Sequence, residues 1–155
     1  PNESSDADGD GIGDNADTQY DLAPASLQYS DKEITSLNNN LCLGIDASTE
    51  LLAQQLKTVA CSLDANSQWS WSLNGQLHSK ANYAFCITAD RLSSGATLSL
   101  QHCTGDDKQK WGYDSQENSI RSLVNDAIAF DKYSNGNVNS YNFHGGSNQQ
   151  WQVQQ

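Results

Sequence analysis

Methionine is absent from this 155-residue chain, proline occurs twice, and lysine and arginine together number only 8. No apolar run approaches the ~20 residues that a membrane-spanning helix requires, so none is expected. Against those 8 bases stand 19 acids, leaving a net charge of −11. An acidic surface of that size disfavours nucleic acid and anionic membranes as partners. Charged residues make up only 17% of the chain, which argues against a charged coiled coil or a long helical bundle. The polarity is instead uncharged: 15 Asn, 14 Gln and 20 Ser. That composition fits a loop-rich β protein. The length is that of one domain, large enough to bury a real core. The start at Pro1 and the absence of Met suggest a piece excised from a longer protein.

The charge is uneven. Residues 1–21 carry seven acids and no Lys or Arg, with too little apolar content to fold by packing alone. A boundary is expected in Asp21-Leu22-Ala23-Pro24-Ala25, dividing an acidic segment 1–25 from a domain 26–155. Within the segment, Asp6, Asp8, Asp10, Asp14 and Asp17 recur at short spacing, with Gly11 at the sixth place. Oxygen ligands at every second position and a glycine at the tight bend are what a calcium loop needs. The expected ligands are Asp6, Asp8, Asp10, the Ile12 carbonyl, Asp14 and Asp17. The last place holds Asp rather than the Glu of an EF-hand, and no amphipathic helix flanks the loop. The run resembles a thrombospondin type 3 calcium repeat, over residues 6–17 only. The competing reading is a solvated acidic linker.

The rest of the chain repeats. Gln68-Trp69-Ser70-Trp71, Lys110-Trp111-Gly112-Tyr113 and Gln150-Trp151-Gln152-Val153 share one pattern, with Trp111 42 residues after Trp69 and Trp151 40 after Trp111. Upstream, Cys42-Leu-Gly-Ile-Asp46, Cys86-Ile-Thr-Ala-Asp90 and Ala127-Ile-Ala-Phe-Asp131 align. Eight residues before each Trp stand Cys61, Cys103 and Phe143, and Ile34, Leu77 and Ile120 open the three units. Short runs such as Leu41–Ile45, Thr97–His102, Ser119–Val124 and Asn139–Phe143, bounded by Asn, Gly, Ser and Asp, read as strands. Only Ser48–Leu56 suggests a helical turn. Three such units are how a closed threefold barrel is built, and closure removes sheet edges. The three repeated Trp are expected in the core, with the Gln two places before satisfying buried backbone groups.

These residues resemble the ricin-B-type β-trefoil lectins. The Gln-x-Trp signature is complete in Gln109-Lys-Trp111 and Gln149-Gln-Trp151, while Ser67 replaces Gln in the first unit. The resemblance covers about residues 27–155 and implies an all-β trefoil with units 27–72, 73–114 and 115–155. The corresponding cysteines of two units imply the pairs Cys42–Cys61 and Cys86–Cys103, closing loops of 19 and 17 residues. Each would contribute about 3 kcal/mol, and disulfides point to a secreted or cell-surface protein. Zinc is the alternative, without a Cys-x-x-Cys or His-x-x-x-His spacing to support it.

In the family, each pocket uses an Asp two after the first Cys, an aromatic two before the second, and Asn-Gln before the Trp. The first unit offers Gly44, Val59 and Asn66-Ser67; the second Thr88, Gln101 and Lys108-Gln109. The third offers Ala129, Tyr141 and Asn148-Gln149. The first is read as dead, the second as weak, and the third as the working pocket with its Asp missing. Asp131, two residues further on, is either a turn cap, as its matches Asp46 and Asp90 suggest, or a substitute ligand. The expected carbohydrate contacts are therefore Tyr141, Asn148, Gln149, Asp131, Asn139 and His144. Should Tyr141 turn inward, Tyr133 is the second aromatic wall, in a loop 131–140 expected to be loosely held because the third unit has no bridge. No Ser/His/Asp set, placeable carboxylate pair or phosphate loop is evident, and His78, His102 and His144 occupy unrelated positions. The reading is a non-catalytic carbohydrate-binding module, for a galactose-type sugar or a polysaccharide, of a secreted bacterial multidomain protein with a calcium-binding linker and a catalytic or toxin partner domain. The alternative is a trefoil that has lost sugar binding and serves protein interaction or targeting.

Overall fold

In the computed structural model, residues 27–154 are described, and they form twelve antiparallel strands. The first unit holds β1 (Leu27–Ser36), β2 (Cys42–Gly44), β3 (Lys57–Val59) and β4 (Gln68–Ser72). The second holds β5 (Leu77–Ser79), β6 (Asn82–Ala89), β7 (Leu98–His102) and β8 (Trp111–Asp114). The third holds β9 (Ser119–Ser122), β10 (Ile128–Lys132), β11 (Val138–Asn142) and β12 (Trp151–Val153). The fold is the all-β trefoil. The calcium-loop expectation for Asp6–Asp17 lies outside the described residues, as does all of the segment 1–25.

The first and last strands of each unit make the barrel. Four seams are ladders: β1–β4, β4–β5, β8–β9 and β1–β12. The other two are joined by Trp111 N–H donating to the Gly75 carbonyl at 2.8 Å and Trp151 N–H to that of Asn118 at 2.6 Å. The middle hairpins β2–β3, β6–β7 and β10–β11 close one end, bridged to one another at Gln55–Ser99, Lys57–Asn137 and Thr97–Asn139. Alternation within the strands explains why they face as they do. Leu98, Leu100, Trp151 and Val153 are buried, with partly or fully exposed polar residues between them.

Trp69, Trp111 and Trp151 lie in the core, each at most 1% exposed. Burying an indole is stable only if its N–H finds an acceptor. Each repeated Trp donates to a carbonyl on its own unit's second strand: Trp69 to Leu43 (2.9 Å), Trp111 to Ile87 (3.0 Å) and Trp151 to Phe130 (3.2 Å). Two further bonds tie unit to unit, Trp71 Nε1 to the Trp111 carbonyl and the Tyr113 hydroxyl to that of Trp151.

The three Trp acceptors give a structural alignment that corrects the expected one. Leu43, Ile87 and Phe130 are equivalent, so the counterpart of Cys42 and Cys86 is Ala129, not Ala127. Strand pairing agrees: Cys42 faces Val59, Cys86 faces Gln101 and Ala129 faces Tyr141. Asp131 therefore matches Gly44 and Thr88, and Tyr133 is the counterpart of Asp46 and Asp90. The family Asp is not missing from the third unit; it is Asp131.

The disulfides Cys42–Cys61 and Cys86–Cys103 are both formed. In the third unit Ala129 and Phe143 stand at the two cysteine places, with the Arg121 guanidinium 4.4 Å over the Phe143 ring. Ser48–Leu56 forms turns rather than a helix, with Thr49 N–H donating to the Asp46 carbonyl and Gln54 N–H to that of Leu51.

Candidate carbohydrate-binding site

Gln149 is where the third-unit site begins. It is fully buried at the end of the one-turn 3-10 helix Ser147–Gln149. Its Oε1 accepts from the amides of His144 (2.8 Å) and Gly145 (3.2 Å), a loop made possible by the left-handed backbone of Gly145 at φ 77°. Its Nε2 donates to the Asn142 carbonyl and to Asp131 Oδ2, both at 2.9 Å. Gln149 thus holds the loop and the acid in place from beneath. It does not line the depression, which corrects the expectation that it touches sugar directly.

Asp131 is 4% exposed, and its other oxygen accepts from Asn148 Nδ2 at 2.8 Å. A buried carboxylate is costly unless hydrogen-bonded, and here two amides satisfy it and fix its rotamer. Each oxygen keeps further lone-pair capacity on the solvent side. Asp131 is not a turn cap. The cap role belongs to Asp46, which accepts from Ser48 N (3.0 Å) and Ser48 Oγ, holding its own carboxyl below the usual carboxylate range. Asp90 is exposed and pairs with Arg91 at 3.6 Å.

Above Asp131 opens a depression of about 330 Å³ lined by Asp131, Lys132, Tyr133, Tyr141, His144 and Asn148, with Ser134 at its edge. Tyr141 is 45% exposed, and its ring meets those of Tyr133 (6.4 Å between centroids) and His144 (6.1 Å) edge-on. His144 Nδ1 accepts from Gly146 N–H at 3.0 Å, so the neutral ring carries its proton on Nε2, 3.8 Å from Asp131 Oδ2. Four of the six expected residues, Tyr141, Asn148, Asp131 and His144, converge here. Asn139 does not. Its Oδ1 accepts from Gln55 Nε2 (2.9 Å) and Leu98 N–H (3.3 Å), tying together the hairpins at the barrel end. Strand parity put Asn139 on the Tyr141 side, but the neighbouring hairpins claim its amide.

The loop 131–140 is not loosely held, as the missing bridge suggested. Asp131 and Lys132 pair with Asn139 and Val138, Gly136 N–H donates to the Tyr133 carbonyl, and the Tyr133 hydroxyl to that of Ser140 at 2.9 Å. Burial beside Asp131 and Tyr141 pushes the Tyr133 hydroxyl's pKa up.

The equivalent places of the other units lack this set. In the first unit a Cβ at Gly44 would lie 2.3 Å from Val59 Cγ2 and 2.6 Å from the Asn66 carbonyl, so Val59 occupies the space of an acid. In the second, Thr88 Oγ1 accepts from Gln109 Nε2 at 3.0 Å, and Gln101 stands where Tyr141 does. That depression is larger, about 530 Å³, and is bordered by Asp90, by Asp106, which caps Lys108 N–H at 2.9 Å, and by the exposed His102 ring stacked on Phe85, but neither acid is held by side-chain amides as Asp131 is, and no tyrosine lines it. The clusters His78–Cys86–Cys103 and Glu33–Cys42–Cys61 have their sulfurs committed to disulfides and are not metal sites in this state.

The sequence profile of the ricin-type β-trefoil lectin domain matches residues 30–151. This chain belongs to that family. Among solved structures, this lectin domain is similar to the earthworm R-type lectin C-half in complex with GalNAc, at 21% identity and TM-score 0.68, covering 79% of this chain and 96% of that one. It is also similar to the Vibrio vulnificus hemolysin/cytolysin β-trefoil lectin with N-acetyl-D-lactosamine bound, at 18% identity and TM-score 0.68, covering 81% and 94%. A designed threefold symmetric protein matches at 20% identity and TM-score 0.70, covering 79% and 96%. No curated protein sequence matches it. At these identities the likeness to the solved structures is one of fold. The lectin domain is a binding module rather than a catalytic one.

Proposed function

We propose that this lectin domain binds galactose-type sugars at one site, in its third unit. The observation that carries the reading is the buried Asp131 carboxylate, held by Asn148 and Gln149 beside the exposed Tyr141 ring. Two vicinal hydroxyls donate to the two Asp131 oxygens. The second Asn148 Nδ2 hydrogen and the His144 Nε2 hydrogen are donors to ring substituents, and the C–H face of the sugar lies on Tyr141. Because the amides already fix the acid, little ordering accompanies binding. The site is shallow and single, so the affinity is weak, with Kd on the order of mM to tens of μM. The GalNAc bound by the similar earthworm lectin and the N-acetyl-D-lactosamine bound by the similar Vibrio vulnificus lectin support the sugar class.

The test is a titration with galactose followed by NMR. Shifts should map to Tyr141, His144 and Asn148, and Tyr141→Ala should weaken binding by about 1–2 kcal/mol without lowering the melting temperature. Binding that survives Tyr141→Ala would remove this site. A blank glycan array would favour a protein-interaction or targeting role.

The same proposal places the domain outside the cytosol, in a secreted or cell-surface bacterial protein carrying a catalytic or toxin domain; its two disulfides support an oxidising compartment. The Asp6–Asp17 loop is proposed to bind one calcium ion, on the strength of its ligand spacing alone. Calorimetry with calcium on the full chain should show a site that disappears in Asp10→Ala, and no heat at millimolar calcium would leave the segment a linker.

A further inference from the structure

Tyr133 stands where the other two units carry a carboxylate. Counted from the carbonyls that accept the Trp69, Trp111 and Trp151 indoles, the third residue on is Asp46, Asp90 and Tyr133. All three border their unit's depression. The exchange removes a negative charge from the wall and puts an aromatic ring there. The Tyr133 hydroxyl is already committed to the Ser140 carbonyl, so what the ring presents to the depression is apolar. It meets Tyr141 at an interplanar angle of 83°, giving two apolar surfaces at nearly a right angle. A sugar ring lying flat on one surface meets the other with a substituent at its edge.

We infer that Tyr133 is a specificity-determining residue, selecting sugars that carry a methyl-bearing substituent at the ring edge. The inference rests on the galactose-type site proposed above. Two groups present that chemistry, the methyl of an acetamido group and the methyl of a 6-deoxy sugar. A bare hydroxyl or hydroxymethyl at the same edge meets an apolar wall that offers it no hydrogen bond. In the first and second units Asp46 and Asp90 would favour the hydroxyl instead.

The experiment is calorimetry of the full chain with galactose, N-acetylgalactosamine and D-fucose. The wild type should bind one of the two methyl-bearing sugars about fourfold more tightly than galactose, the worth of roughly one buried CH₂; which one it prefers identifies the substituent. Tyr133→Asp, the residue of the other two units, should bring the affinities for galactose and for the preferred methyl-bearing sugar to the same value. Tyr133→Phe should keep the preference. If Tyr133→Asp does not fold, Tyr133→Asn serves in its place with the same expected result. Equal affinity for all three sugars, or a preference that persists in Tyr133→Asp or Tyr133→Asn, overturns the inference while leaving the site standing. No binding of any sugar by the wild type overturns both readings.

Discussion

Asp131 and Gln149 show what a single side chain can commit in this fold. Replacing Asp131 by Asn leaves one acceptor where two amide donors point. We expect Asp131→Asn to cost about 1–3 kcal/mol of stability and to abolish detectable sugar binding, read from urea midpoints and from NMR titration with galactose. Loss of binding with unchanged stability would mean the two amides do not depend on the acid. His78 carries a second prediction at this scale. It is 7% exposed, with Nδ1 2.7 Å from the Tyr83 carbonyl, 3.4 Å from both sulfurs of the Cys86–Cys103 bridge, and Nε2 buried without a partner among the described residues. Burial holds its pKa below the ordinary histidine value. Below that ordinary value the unfolded chain takes up a proton that the folded one resists, so stability falls as the pH drops from about 7 towards 5. His78→Thr, which places there the residue found at Thr35 in the first unit, should flatten that decline in urea midpoints between pH 7 and 5. An unchanged slope would assign the acid sensitivity to other groups.

The three hairpins differ in length and in how they are closed. Cys42 to Cys61 spans 19 residues and Cys86 to Cys103 spans 17, whereas Ala129 to Phe143 is shorter and has no bridge. The short third hairpin is closed by its own turn and ladder, which is how its pocket stays ordered without a covalent tie. In the first hairpin Val59 packs against Gly44, so an added methyl has nowhere to go. Gly44→Ala should cost about 1–3 kcal/mol by overpacking, measured by thermal or urea unfolding; a neutral result would show that Val59 yields easily.

For the whole molecule, threefold architecture does not bring three equivalent depressions. The barrel repeats because three Trp–carbonyl bonds and three hairpins are each needed to bury one core. The sites have no such mutual dependence, and of the three depressions among the described residues the third alone joins a buried, amide-held acid to an exposed tyrosine. Calorimetry with galactose should therefore give a stoichiometry of one sugar per chain. A value of two would bring the second-unit depression, with Thr88, Gln101 and Lys108, into use.

The sequence made the fold and both disulfides legible. Trp and Cys spacings repeat because each marks a place where the chain must bury a large ring or close a hairpin. It also singled out the third unit, since Tyr141 and Asn148-Gln149 coincide only there. It did not determine the alignment of β10. Ala127-Ile-Ala-Phe-Asp131 matches Cys86-Ile-Thr-Ala-Asp90 in pattern, yet the true equivalence is displaced by two residues. A displacement of two preserves which face every side chain takes, because a strand repeats every two residues, so hydrophobic alternation cannot detect it. The third unit also lacks the cysteines that would have pinned the register. It took the folded chain, with the Trp151 indole reaching the Phe130 carbonyl, to place Asp131 in the third depression, Gln149 beneath it and Asn139 at the barrel end.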